Sequence, residues 1–160
     1  MPRIGQGFDV HRFRADRELW LCGLLLEGEV GLEGHSDADV ALHAVTDALL
    51  GAIAAGDIGQ HFPADDPRWR GADSRVFLGD AVRRVAEAGF GLVNCDLTIV
   101  GERPRIARHR QRLRERLAAL LGVEVDRVSV KATTTEGLGW TGRMEGLAAL
   151  AVVLLEELAG

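Results

Sequence analysis

The chain has 160 residues, enough for one domain with a buried core. Its 47% hydrophobic and 27% charged content is that of a globular protein, and a formal net charge of -5 excludes a general electrostatic trap for nucleic acid. Aromatic residues make up 5%, with no tyrosine, so stacking platforms for single strands are few.

No cationic leader with an apolar core opens the sequence, and the longest apolar run, 147–155, is too short to span a bilayer. Cys22 and Cys95 stand far apart with no Cys-x-x-Cys pairing. They are expected to be reduced, half-buried thiols of a cytoplasmic protein with no membrane partner.

Residues 3–11 read as a strand with glycines at 5 and 7, a pattern that often marks a close backbone approach. Within it, Asp9 and His11 are two apart, so both side chains leave one face. A polar turn is expected over 12–17, then a hairpin or bent strand about Gly23, then a glycine-punctuated loop over 27–33. Gly34-His35-Ser36-Asp37-Ala38-Asp39 leads into a helical period through Val40, Ala41, Ala44, Val45, Ala48, Leu49 and Ile53. Ser36 and Asp39 form a capping-box-like start, and Gly56 is the expected stop. Asp39 reads as a partner of the helix dipole, and His43 as either a hydrogen-bonded core histidine or a ligand. If it is a ligand, Asp9, His11 and His43 make a familiar zinc set with one coordination position open.

Residues 56–67, rich in Gly, Pro and Asp, read as a long non-periodic loop of the kind that tends to be functional. A helix is expected over Ser74–Glu87, stopped by Gly89, and a strand over 92–100. Residues 104–121 read as a helix with Ile106, Leu113, Leu117, Leu120 and Leu121 inward. Its other faces carry Arg105, Arg108, Arg110, Arg112, Arg114 and Arg116. Such a face is either solvated or a grip for RNA. A strand is expected over 123–132. The apolar run 147–158 is open between helix and strand, because periodicity cannot decide an all-apolar segment. With no repeat or linker, the chain reads as one α+β domain.

A second chemical stretch follows Lys131, the only lysine: Thr133-Thr134-Thr135-Glu136-Gly137. Hydroxyls and free backbone N–H groups there can hold phosphate oxygens, and Glu136 can hold a hard cation. Alternatively, Thr133 and Glu136 cap one helical turn.

Taken together, the motifs are distinctive. Phe8-Asp9-Val10-His11, His35-Ser36-Asp37-x-Asp39-Val40-Ala41-Leu42-His43, Thr46-Asp47-Ala48-Leu49-Leu50-Gly51, Gly56-Asp57-Ile58-Gly59, Phe62-Pro63, Gly71-Ala72-Asp73-Ser74 and Lys131-Ala132-Thr133-Thr134-Thr135-Glu136 occur in this order. In sequence and spacing they closely resemble the 2-C-methyl-D-erythritol 2,4-cyclodiphosphate synthase family, from Gly5 to Gly146. The resemblance implies an enzyme of non-mevalonate isoprenoid biosynthesis. Its substrate would be 4-diphosphocytidyl-2-C-methyl-D-erythritol 2-phosphate, closed to a cyclic diphosphate with loss of CMP. It also implies a mixed sheet with helices on one face, and a homotrimer with sheets inward and active sites between subunits. Residues 147–158 then become a strand.

By the same resemblance, Asp9, His11 and His43 match zinc ligands, and Glu136 matches the residue holding Mg²⁺ or Mn²⁺ with the substrate diphosphate. Asp9 and His11 thereby also face substrate. His35 and Thr134 match positions that stabilise the transition state, with Ser36 beside them. Asp57, Ile58 and Gly59, with Phe62, Pro63, Ala64, Asp65 and Asp66, would hold the methylerythritol part. Gly101, Pro104, Arg105, Ile106 and Ala107 would form the cytidine pocket, mainly through backbone. Thr133, Thr134, Thr135, Glu136, Trp140 and Arg143 would complete the nucleotide and phosphate side. Gln6 stands where histidine is common, Ala64 replaces an aspartate and Trp140 a phenylalanine. The competing readings are a metal-dependent nucleotide phosphohydrolase on the same ligands, and an RNA-binding module using the helix over 105–116.

Overall fold

Alternation along the first strand decides how the fold is built. In the computed structural model, which describes residues 1–158, β1 (Arg3–Arg14) turns Gly5 and Gly7 inward while Ile4, Gln6, Phe8, Val10 and Arg12 are exposed. The helix α1 (Val40–Ala52) lies directly on the inward face. A Cβ at Gly5 would stand 1.8 Å from the Ala48 carbonyl oxygen, and one at Gly7 would stand 1.9 Å from that of Ala44. The expected close approach is therefore real, and it brings the start of α1 against Asp9 and His11. Ala159 and Gly160, the end of the expected 1–160 domain, lie outside the described residues.

The remaining elements in chain order are the hairpin strands β2 (Trp20–Leu21) and β3 (Leu24–Leu25), β4 (Gly31–Leu32), the short helix α2 (Ile58–His61) and α3 (Ser74–Glu87). They are followed by β5 (Phe90–Val100), α4 (Arg110–Leu121), β6 (Val128–Thr133), a turn of helix α5 (Gly139–Gly142) and β7 (Gly146–Glu157). The main sheet has the order β4-β1-β7-β5-β6. β5 and β6 are parallel and the other pairings antiparallel, so this is the expected mixed α+β sheet. The helices α1, α3 and α4 and one sheet face share a core that includes Leu42, Leu49, Leu78, Leu97, Leu117 and Leu155. No helix among the described residues is long and apolar enough to cross a membrane.

Several expectations need correction. The strand does not stop at residue 11, because Phe13 and Arg14 pair with Leu32 and Gly31 of β4. The loop over 56–67 is not structureless: Asp57 caps α2, and Asp66 caps a 3-10 turn at Pro67–Trp69. The helix expected from residue 104 starts at Arg110, after a separate 3-10 turn at Ile106–Arg108. The strand expected from residue 123 starts at Val128, after a 3-10 turn at Val125–Arg127. Both cysteines are free and fully buried rather than half-buried. Residues 147–158 do supply a strand, β7, central in the sheet between β1 and β5. Two flanking ladders outweigh the helical propensity of its alanines and leucines.

The cap of α1 is also different from the one expected. Asp39, not Ser36, is the N-cap, and it is wholly buried. Its carboxylate accepts the N–H of Leu42 at 3.0 Å, of Cys22 at 3.1 Å and of Gly23 at 2.7 Å. One side chain thus caps the helix and ties it to the β2–β3 turn. Asp39→Ala leaves three buried donors unpaired. It is expected to lower stability by roughly 3 kcal/mol or more, read as a fall in the urea midpoint at unchanged m.

Candidate metal site and its surroundings

β1 and α1 face one another with a carboxylate and two imidazoles between them. Asp9 Oδ2 lies 3.0 Å from His11 Nε2 and 3.0 Å from His43 Nδ1, and the two nitrogens are 3.1 Å apart. Ligands about 2.0–2.1 Å from a tetrahedral ion stand about 3.3 Å from one another, so the triangle is close to the size such an ion requires. Atoms this close are held together either by a proton on an imidazole facing Asp9 or by a cation among the three. The donor set therefore fits a metal ion, with one side of the triangle left for another ligand.

Neighbouring groups bear on the ring orientations. His11 Nδ1 donates to the Glu33 carbonyl at 2.6 Å, so in the neutral ring Nε2 is the bare nitrogen toward Asp9. His43 Nε2 lies 2.8 Å from Ser74 Oγ and 3.3 Å from Ser36 Oγ. The loop bearing His35 is held from two sides. Arg17 donates to the Gly34 and Ser36 carbonyls, while Gly71 N–H donates to His35 O and Asp37 N–H to Ala72 O.

Charge in the triangle is shared in a pH-dependent way. Burial alone would raise the Asp9 carboxyl, but hydrogen bonds from His11 and His43 outweigh it and hold the group well below the usual carboxylate range. Burial alone would lower His11, but the Asp9 carboxylate outweighs it and raises the imidazole above its ordinary value of 6.5. In the metal-free protein the His11 contribution to stability is full below about pH 6.5 and is lost as pH rises through the raised pKa. That of Asp9 is present above about pH 4 and is lost as pH falls through the depressed one. A metal needs the bare imidazole, so it competes with this proton. Apparent affinity for a divalent metal ion is expected to fall by up to about tenfold per pH unit below the raised His11 pKa. Chelator competition at pH 5.5, 6.5 and 7.5 reads that slope, and a flat profile would contradict it.

Beside the triangle is a cavity of about 250 Å³. It is lined by Asp9, His11, His35, Ser36 and His43 on one side and by Ile58, Gly59, Phe62, Ala64, Trp69 and Phe77 on the other. Phe62, Trp69 and Phe77 pack as an aromatic cluster, with centroids 4.6–5.8 Å apart. Phe77 reads in the sequence as part of the buried stripe of the helix over Ser74–Glu87, and Trp69, at the end of the 3-10 turn Pro67–Trp69, carries no signal there. Asp47, one turn beyond His43, accepts the Ile58 N–H at 2.7 Å and so fixes where the Asp57-Ile58-Gly59 turn begins. Asp57 caps Gln60, and the Asp66 carboxylate is engaged by Arg68. Asp65 is exposed.

The second chemical stretch is not part of this cavity. Thr135 and Trp140 line a separate cavity of about 400 Å³ with Phe8, Val100 and Leu150, on the sheet face opposite α1, α3 and α4. Thr133, Thr134 and Glu136 are exposed, and Glu136 is held at φ 54°, in the left-handed region. Gly101 N–H donates to Thr133 O, so the 101–107 turn adjoins the threonine run. Ile106 and Pro104 are buried, while Arg105 and Ala107 are exposed. Arg143 pairs with Glu145 at 2.6 Å. On α4, Arg114 is spent on the Val125 and Val128 carbonyls rather than facing solvent alone.

A mixed α+β sheet presenting an Asp-His-His triangle beside a small apolar cavity defines a candidate metal-dependent enzyme acting on a small molecule. The chain belongs to the YgbB family, whose profile matches residues 2–156. It is 60% identical over 156 residues to a bifunctional enzyme IspD/IspF of Caulobacter vibrioides, with 98% of this chain and 41% of that protein covered. The chain thus spans well under half the length of the first curated relatives it matches. It is 56% identical to a 2-C-methyl-D-erythritol 2,4-cyclodiphosphate synthase of Cereibacter sphaeroides, with 96% of each chain covered. Among solved structures, a 2C-methyl-D-erythritol-2,4-cyclodiphosphate synthase in its CDP-bound form is similar at TM-score 0.88 and 45% identity, with 96% of this chain and all of that one covered. The bifunctional IspDF of Campylobacter jejuni is similar at TM-score 0.95 and 40% identity, with 99% and 43% covered. The resemblance read from the motifs is borne out.

Proposed function

We propose that residues 1–160 form one cyclodiphosphate synthase domain. It converts 4-diphosphocytidyl-2-C-methyl-D-erythritol 2-phosphate to 2-C-methyl-D-erythritol 2,4-cyclodiphosphate and CMP. The observation that carries this is the Asp9–His11–His43 triangle opening onto the Ile58–Phe62–Phe77 cavity, in a chain matched to the family over 2–156. The CDP-bound relative supports a cytidine nucleotide as the substrate's leaving part.

A phosphate monoester is mostly dianionic at pH 7, so the 2-phosphate arrives ionised and needs no strong base. The obstacle is charge: each pair of unit charges brought to ~4 Å at an effective dielectric of ~20 costs roughly 4 kcal/mol. Zinc held by Asp9, His11 and His43, and Mg²⁺ or Mn²⁺ held by Glu136 with the diphosphate, would supply positive charge against that repulsion. His35 and Thr134 steady the transferring phosphoryl group. The turn Asp57-Ile58-Gly59 and the segment from Phe62 through Pro63 and Ala64 to Asp65 and Asp66 fold the methylerythritol part and exclude water. Gly101, Pro104, Arg105, Ile106 and Ala107, with Thr133, Thr135, Trp140 and Arg143, hold the cytidine and phosphates. Ser36 shares the wall with His35. Alignment within one molecule replaces a bimolecular encounter, an advantage that reaches effective molarities on the order of 10⁵ M.

The active unit is a homotrimer with sheets inward and sites between subunits. Two observations support it. The sheet face opposite α1, α3 and α4 leaves Ile4 72%, Phe8 51%, Val10 43% and Val152 44% exposed, an apolar patch that needs a partner. The metal-site cavity and the threonine stretch do not share a wall within one chain. Val152→Glu is expected to shift the light-scattering mass from trimer to monomer and to abolish turnover. A trimeric, active Val152→Glu protein would contradict the arrangement. Free buried thiols fit a cytoplasmic protein.

The direct test incubates the protein with the proposed substrate, Zn²⁺ and Mg²⁺ and follows products by ³¹P NMR. CMP with a cyclic diphosphate, suppressed by a chelator, is the expected result. CMP with a methylerythritol 2,4-bisphosphate, two monoesters with no P–O–P linkage, would make the chain a phosphohydrolase on the same ligands.

A further inference from the structure

The Gly71-Ala72-Asp73-Ser74 motif and Asp37 have no part in the reaction outlined above, yet both meet at the back of the metal site. Ser74 is wholly buried at the start of α3, behind the His43 ring. Its backbone N–H donates to Asp37 Oδ2 at 2.9 Å, and its hydroxyl donates to Asp37 Oδ1. That carboxylate oxygen also accepts the Asp39 N–H at 3.1 Å. A carboxylate only accepts, so the Ser74 proton points at Asp37 and the Ser74 oxygen presents its lone pairs to His43 Nε2, 2.8 Å away.

We propose that Asp37 and Ser74 are positioning residues that set the His43 tautomer: the chain Asp37–Ser74–His43 keeps the proton on Nε2 and leaves Nδ1 free for a metal ion. The polarity of the chain runs one way. Asp37 accepts from Ser74, Ser74 accepts from His43, and His43 offers its bare nitrogen into the triangle. Ser36 Oγ, 3.3 Å from the same Nε2, is a longer second acceptor and already receives the Ala38 N–H at 3.2 Å. The Glu33 carbonyl performs the matching task for His11, through the other ring nitrogen. The two histidines therefore enter the triangle by different atoms, Nε2 of His11 and Nδ1 of His43, each with its opposite nitrogen already engaged. An oriented neutral imidazole with a carboxylate behind it is also a stronger donor than a free one.

The inference rests on the reading of Asp9, His11 and His43 as a zinc site, and the test separates the two. Zinc affinity is measured by competition with a chromophoric chelator for the unaltered protein, Ser74→Ala and Asp37→Asn, together with urea midpoints of the metal-free proteins. Ser74→Ala removes the acceptor. Asp37→Asn turns one of the two accepting atoms into a donor. Both are expected to weaken zinc binding by about 10- to 100-fold. A Ser74 with a purely structural role would lower the metal-free urea midpoint and leave zinc affinity within about threefold, and that result would overturn the proposal. If neither variant folds, long-range ¹H–¹⁵N spectra of the unaltered metal-free protein at alkaline pH, where the imidazoles are neutral, decide. A protonated Nε2 on His43 supports the relay, and a protonated Nδ1 overturns it. Failure of the unaltered protein to bind zinc would instead remove the metal-site reading.

Discussion

On the proposed function, His11→Ala is expected to lose the bound metal ion and at least about 10³-fold in turnover, while the protein keeps its fold. The side chain is one corner of the Asp9–His11–His43 triangle, and the two remaining donors cannot hold an ion in a catalytic geometry. The rate estimate follows from the several kcal/mol of charge stabilisation a Lewis acid supplies, at about 1.36 kcal/mol per factor of ten. The fold survives because the ring is half-buried and its loss leaves only the Glu33 carbonyl without a side-chain partner. Zinc content by atomic emission, circular dichroism and product formation by ³¹P NMR check the three parts separately. A zinc-free His11→Ala protein with full activity would end the metal mechanism.

Gly7→Ala acts through the backbone and is expected to cost on the order of 3 kcal/mol or more. A methyl group there would lie 1.9 Å from the Ala44 carbonyl oxygen and 2.8 Å from the Ala48 nitrogen. Helix backbone cannot yield as a side-chain tip can, so α1 must move off β1. Asp9 is two residues from Gly7 and His43 adjoins Ala44, so the same displacement opens the donor triangle. Whatever fraction folds is expected to bind a metal ion weakly. Gly51→Ala is the control: it lies on α1, exposed, with nothing closer to the added carbon than the Gln6 carbonyl oxygen at 3.9 Å. Helix propensity makes that change neutral or stabilising by about 0.5–1 kcal/mol. Equal urea midpoints for the two variants would contradict the account.

Part of this arrangement is written locally along the chain and part is not. Spacing alone put Asp9 and His11 on one face of a strand, and the glycines before them marked a close approach. Composition and period placed α1, α3 and β5 to within a few residues. These features are local: a strand alternates every two residues and a helix repeats every 3.6, so the pattern is written along the chain. The cap of α1 differs from the local expectation for the opposite reason. Ser36 and Asp39 both fit a helix start locally, and the choice fell to Cys22 and Gly23, whose N–H groups only the folded chain brings to Asp39.

What the sequence determined by itself is therefore the chemistry: the metal-competent residues, the phosphate-competent threonines and the motif order that the family match bears out. What only the tertiary structure decided is which of them meet. Asp9, His11 and His43 converge because two glycines let a helix lie on a strand, an effect of backbone volume that no single residue announces. Ser74 and Asp37, 37 residues apart, acquire a role only when the ends of two loops close behind His43. β7 became a strand because sheet partners on both sides outweigh the propensity of its own residues. In each case the deciding contact joins segments distant along the chain, so its energy is absent from any local stretch of sequence.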